Sequence, residues 1–75
     1  MPDSRPVSGR EVIRTLERLG FVQVRQRGSH VVLRRETFEG AIGCVVPLPR
    51  ELALGTLRGI LKQARITPEE FAESS

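Results

Sequence analysis

The sequence predicts a small α+β domain of order αβββα: a three-stranded antiparallel sheet with two helices on one face and a short helical turn at the C-terminus. Three observations carry this. A capping signature at Ser8 opens an apolar stripe with helical spacing. Three β-rich runs follow, joined by connections too short for a crossover, and a second helical stripe covers residues 57–64.

The first helix begins at Ser8, an N-cap residue type, with Glu11 three positions on, so that each side chain satisfies the other residue's free N–H. Val12, Ile13, Leu16 and Leu19 form its apolar stripe, and Gly20 supplies a residue that enters the left-handed region without strain. Arg10, Arg14 and Arg18 recur every fourth residue on the side away from Leu16, with Glu17 interrupting the positive run. Phe21–Gln26 reads as a strand, with Val22 and Val24 on one face and Gln23 and Arg25 on the other. Gly28-Ser29 is a tight turn. The second strand runs from His30 to Arg35, with His30, Val32 and Arg34 on one face and Val31, Leu33 and Arg35 on the other. Glu36–Gly40 connects it to a third strand over Ala41–Val46, ended by Pro47 and Pro49; such short connections favour a meander.

The second helix starts near Gly55-Thr56 and carries Leu57, Ile60, Leu61 and Ala64 at i, i+3, i+4 and i+7. Gly59 inside it costs up to about 1 kcal/mol relative to Ala unless close packing requires it. Thr67-Pro68-Glu69-Glu70 combines an N-cap, a Pro at N1 and a Glu at N3, so a short helix through Phe71 follows.

With 75 residues the chain makes one domain with a thin core. A deep pocket for a small metabolite does not fit in it; an exposed face acting on a polymer does. Residues 1–35 hold eight Arg against three acids, whereas residues 36–75 hold four basic residues against six acids. Eleven of the twelve cations are Arg, the residue that pairs with phosphate through two parallel hydrogen bonds. That asymmetry points to a polyanion, against the plainer reading of a solvated charged surface. Cys44 is the only cysteine, so no intrachain disulfide forms; a reducing cytoplasm is the expected compartment, and a small buried apolar role suits the residue. No apolar run approaches a membrane span. Residues 1–7 lack an apolar signal segment and read as a flexible lead-in to a single domain over 8–75. No Walker loop, HExxH or paired-carboxylate constellation is present, and Glu69-Glu70 reads as a helix start, so neither metal nor cofactor is expected.

His30 is the only histidine. Imidazole is the one side chain whose unperturbed pKa lets it exchange protons near neutrality. Following Arg25-Gln26-Arg27 and the Gly28-Ser29 turn, it suits a small acid–base nuclease; a plain edge-strand residue is the competing reading.

Several blocks in order extend this. Ser8-Gly9-Arg10-Glu11-Val12-Ile13, Leu19-Gly20-Phe21, Arg25-Gln26-Arg27-Gly28-Ser29-His30, Val46-Pro47 and Gly55-Thr56-Leu57-Arg58-Gly59-Ile60-Leu61-Lys62-Gln63-Ala64 resemble the HicA family of toxins, the mRNA interferases of type II toxin–antitoxin modules. The resemblance spans Ser8 to Phe71. It implies a double-stranded-RNA-binding-domain-like fold, a metal-independent ribonuclease whose catalytic histidine matches His30, and a HicB-like antitoxin covering the active face. One departure stands out: many family members carry a His soon after the Val-Pro of the third strand, and this chain has Leu48-Pro49-Arg50 there.

On that resemblance, His30 takes the proton of an RNA 2′-OH, and Arg25 and Arg27 bind phosphate or stabilise the developing charge. Gly28 and Ser29 offer backbone N–H groups to a phosphate oxygen, or are simply turn residues. Arg34 extends the track or is solvated, and Lys62 and Arg58 give the second helix a charged face that can bind RNA, as in double-stranded-RNA-binding folds. Phe21, Phe38 and Phe71 supply no stacking platform, so binding directed at the backbone with loose sequence preference follows. A non-catalytic RNA-binding module, or an attenuated toxin acting mainly in an antitoxin complex, is the alternative.

Overall fold

The computed structural model describes residues 7–48 and 51–75. Its elements run α1 (Gly9–Arg18), β1 (Val22–Arg27), β2 (His30–Thr37), β3 (Gly40–Pro47), α2 (Leu54–Ala64) and α3 (Pro68–Ser74). The strands form one antiparallel sheet in the order β1-β2-β3, the αβββα arrangement with a terminal helix that the sequence predicts. Of the expected lead-in, residues 1–6 lie outside the described residues. Val7 packs partly against the core and its carbonyl accepts a bond from the Leu52 N–H at 2.8 Å.

Local chemistry sets the boundaries of α1. Ser8 Oγ accepts from the Glu11 N–H at 3.2 Å, and Glu11 Oε1 accepts from the Ser8 N–H at 3.0 Å, closing the capping box. At the other end Gly20 adopts φ +100°, Phe21 N–H donates to Leu16 O and Gly20 N–H to Glu17 O, so two terminal carbonyls are satisfied as the chain turns into β1. Thr15, the buried polar side chain of this helix, donates to Glu11 O at 3.1 Å. α2 ends by the same device at Arg65, which takes φ +57° at a position where glycine would be unstrained. α3 has its own capping box between Thr67 and Glu70, whose bonds from Thr67 hold the Glu70 carboxyl below its ordinary value.

One face of the sheet carries the core. Val31 and Leu33 of β2 and Cys44 and Val46 of β3 are buried against Val12 and Leu16 of α1 and Ile60, Leu61 and Ala64 of α2. Phe21 and Phe71 are buried and complete this layer. Burial pushes the Cys44 thiol up to about 11, in keeping with a packing role. Arg35 also faces the helices, yet it is satisfied: its Nη1 donates to Leu19 O at 2.9 Å, and its guanidinium lies 5.4 Å from the centre of the Phe21 ring. Arg18 Nη1 donates to Ser74 O and ties α3 to α1. Among the described residues no helix is long and apolar enough to cross a membrane.

Gly59 meets no such packing constraint. A Cβ built there finds no neighbour within 4 Å. Gly59→Ala therefore raises stability by about 0.5–1 kcal/mol, the ordinary helical preference for Ala. An increase in the urea midpoint at constant slope checks this; a decrease means that α2 needs the open face for a contact of its own.

Candidate active site

The site is organised by a bulge in β1. Pairing with β2 runs Val22↔Arg34 and Gln23↔Leu33, then resumes at Arg25↔Val32, Gln26↔Val31 and Arg27↔His30, leaving Val24 as the extra residue. Directly opposed residues of an antiparallel pair point to the same side. Gln23 and Gln26 thus lie on the helix-covered side with Leu33 and Val31. Arg25 and Arg27 lie on the open side with Val32 and His30. This corrects the regular alternation read from the sequence, which groups Gln23 with Arg25. From the buried Phe21 onward, unbroken alternation would send Arg25 and Arg27 under α1, towards Arg10 and Arg14. The extra residue turns both guanidiniums outward instead.

His30 begins β2, opposite Arg27 on one neighbour and Pro47 on the other. It is exposed, and its imidazole has no hydrogen-bond partner among the described residues, so both ring nitrogens are available to a substrate. Arg25 and Arg27 are likewise exposed and without an ion-pair partner among the described residues. Opposed pairs place Cβ atoms about 5 Å apart, so Arg27 and His30 can bracket one phosphate group.

The turn beneath them is firmly built. Gly28 takes φ +56° at the first central position, where a two-residue hairpin of this kind requires a positive angle. Gln26 Nε2 donates to Gly28 O at 3.0 Å, and Ser29 O accepts from Leu48 N–H at 2.7 Å, which anchors the turn to the end of β3.

The remaining candidates separate. Arg34 shares the face of His30, but its Nε is paired with Glu36 at 2.8 Å, a solvent-exposed bridge that directs the guanidinium along the strand. Lys62 is not brought to the sheet face. It lines a cavity of about 510 Å³ with Gly55, Arg58, Gly59, Ile66 and Pro68, from α2, its connection to α3 and the first residue of α3. The Leu48-Pro49-Arg50 departure is described only at Leu48; Pro49 and Arg50 lie outside the described residues. Among the described residues no three His, Cys, Asp or Glu side chains cluster as metal ligands would. Exposed valines complete the open face: Val22 and Val24 on β1 and Val45 on β3 stand among the arginines. Nothing in the sequence marks them as site residues; their exposure within β-rich runs is a tertiary fact.

Comparison with known families bears directly on this geometry. The family model described as HicA toxin of bacterial toxin–antitoxin matches residues 9–66, from the first residue of α1 to the end of α2 and its cap. The chain belongs to the HicA toxin family. No curated protein matches it. The HicA match covers His30, both outward arginines, the turn and all three strands. Membership gives the chain a place in a toxin–antitoxin module and implies an antitoxin partner. α3 lies beyond the HicA match, tied to α1 through the Arg18–Ser74 bond, with Phe71 buried in the core.

Proposed function

We propose that this HicA-family chain is a metal-independent endoribonuclease that cleaves mRNA at the open sheet face and is neutralised by a HicB-like antitoxin covering the same face. One observation carries the reading. The only imidazole stands exposed, without a hydrogen-bond partner among the described residues, directly across from Arg27, on a face to which the β1 bulge has also turned Arg25.

RNA supplies its own nucleophile, the 2′-OH. A neutral His30 nitrogen accepts the 2′-OH proton as the 2′-oxygen attacks the adjacent phosphorus. The P–O5′ bond breaks, leaving a 2′,3′-cyclic phosphate and a 5′-oxygen that takes its proton from water. Arg25 and Arg27 hold the non-bridging oxygens as negative charge builds on them. Positioned proton transfer of this kind contributes about 10²–10⁴-fold. With no second imidazole in the chain the rate is modest. The exposed valines beside the arginines suit an apolar protein surface with an acidic rim, the chemistry expected of an antitoxin that shuts this face.

Cleavage of an unstructured RNA but not of the same sequence in DNA tests the reading. Cleavage of neither, by a folded chain, favours a binding module or an attenuated toxin. Arg25→Gln and Arg27→Gln together weaken RNA binding and flatten its dependence on the logarithm of salt concentration by about 0.7 for each phosphate left unneutralised. Fluorescence anisotropy against a labelled RNA in a His30→Ala background reads both effects; an unchanged slope removes these arginines from the interface.

A further inference from the structure

Behind the hairpin that carries His30 lies a second polar surface. A cleft of about 260 Å³ separates α1 from the covered side of β1. Arg10 and Arg14 of α1 and Gln23 and Gln26 of β1 form its polar walls, with Ile13 and Val31 at its base. Neither Arg10 nor Arg14 has an ion-pair partner among the described residues. They lie four residues apart on one helix face, about 6 Å along its axis, a separation on the scale of one nucleotide step.

The cleft is continuous with the site. Gln26 stands opposite Val31, the residue after His30, and its amide reaches the turn at Gly28 O. The N-terminus of α1 abuts Pro47, which pairs with His30, so Arg10 is at the turn end of the cleft. Glu17 stands at the other end and accepts from the Gln23 amide at 3.3 Å. Positive charge therefore begins at the turn and stops at Arg14. The open face and the cleft are separated by the thickness of one strand.

We infer that the α1–β1 cleft is a second RNA-backbone site, in which Arg10 and Arg14 hold phosphates of the substrate strand after it passes His30 and crosses the β1–β2 turn. This rests on the ribonuclease reading above. A strand held only by Arg25 and Arg27 is pinned at the scissile phosphate alone; the cleft holds the strand beyond it. The glutamine amides, which both donate and accept, face bases or sugars as the strand passes. Continuity with the His30 turn favours the substrate over an acidic peptide as the occupant.

The test uses the His30→Ala chain and a long, unstructured, labelled RNA. Adding Arg10→Gln and Arg14→Gln weakens binding about tenfold at low salt and flattens the salt slope by about 1.4, the value for two single-strand phosphates. Arg18→Gln, which removes the same charge type from a residue bonded to Ser74, stays within about twofold. Unchanged affinity in the double variant overturns the inference, as does an equal loss in Arg18→Gln, which would reduce the effect to net charge. Weakened affinity for the antitoxin with RNA binding intact assigns the cleft to the protein partner instead. If only Arg25 and Arg27 matter, the cleft inference fails while the ribonuclease reading stands; if the parent chain does not bind RNA, both fail.

Discussion

His30→Ala is expected to give a folded chain that still binds RNA and cleaves it about 10²–10⁴-fold more slowly. The direction follows from placement. His30 is exposed, makes no hydrogen bond among the described residues and contributes nothing to the buried layer, so its truncation leaves no cavity and no orphaned partner. A surface change of this type moves stability by no more than about 0.5 kcal/mol. The cationic groups beside it remain, so affinity for phosphate remains. The informative result is therefore the split: unfolding midpoint and RNA affinity close to the parent, cleavage rate lost. Retained cleavage places the chemistry on another group. Loss of affinity in parallel with rate makes His30 a contact residue in place of a proton acceptor.

Gly9→Ala is expected to destabilise the fold by about 1–3 kcal/mol, although helix propensity alone points the other way. Gly9 is the first residue of α1, where Ala ordinarily replaces Gly with a gain. Here a Cβ would overlap the carbonyl oxygen of Pro47 and lie 3.1 Å from the Cα of Leu48. Both obstacles are backbone, so no side chain can swing away. Either α1 lifts or the end of β3 moves, and β3 at that point pairs with His30 and anchors Ser29 through Leu48. Cleavage accordingly falls by more than the unfolded fraction explains. Gly59→Ala, measured alongside by urea denaturation, moves in the opposite sense. A Gly9→Ala chain as stable as the parent shows that α1 docks with slack at its N-terminus.

The caps and turns are legible in the sequence because their chemistry is local. Ser8 with Glu11, Gly20, Gly28 and Thr67 with Glu70 each satisfy backbone groups or relieve a turn within a few residues, and each element begins or ends where they place it. The core follows from period alone, from Val12 and Leu16 to Ile60 and Leu61. The bulge at Val24 is not legible, because Val22–Arg25 alternates without interruption and Arg25-Gln26-Arg27 holds no apolar residue that would reveal the change of face. What selects the bulge is non-local: Phe21 is fixed inward by the end of α1, and the two outward arginines avoid the arginines of α1 only if one residue is added. Lys62 stands apart from His30 for a related reason, since charge on a helix says nothing about which layer the helix occupies. Arg34 falls on the expected face, while its engagement by Glu36 depends on side-chain reach along the strand.

The most direct test of the central claim is product chemistry. Purified wild-type chain and His30→Ala are incubated with an unstructured RNA in excess EDTA, and the new ends are analysed. The expected result is cleavage by the wild type alone, with 2′,3′-cyclic phosphate and 5′-hydroxyl ends. Cleavage that stops in EDTA, or that leaves 3′-hydroxyl and 5′-phosphate ends, contradicts the claim, because a 2′-OH attack assisted by one imidazole requires no metal and always closes the cyclic ester.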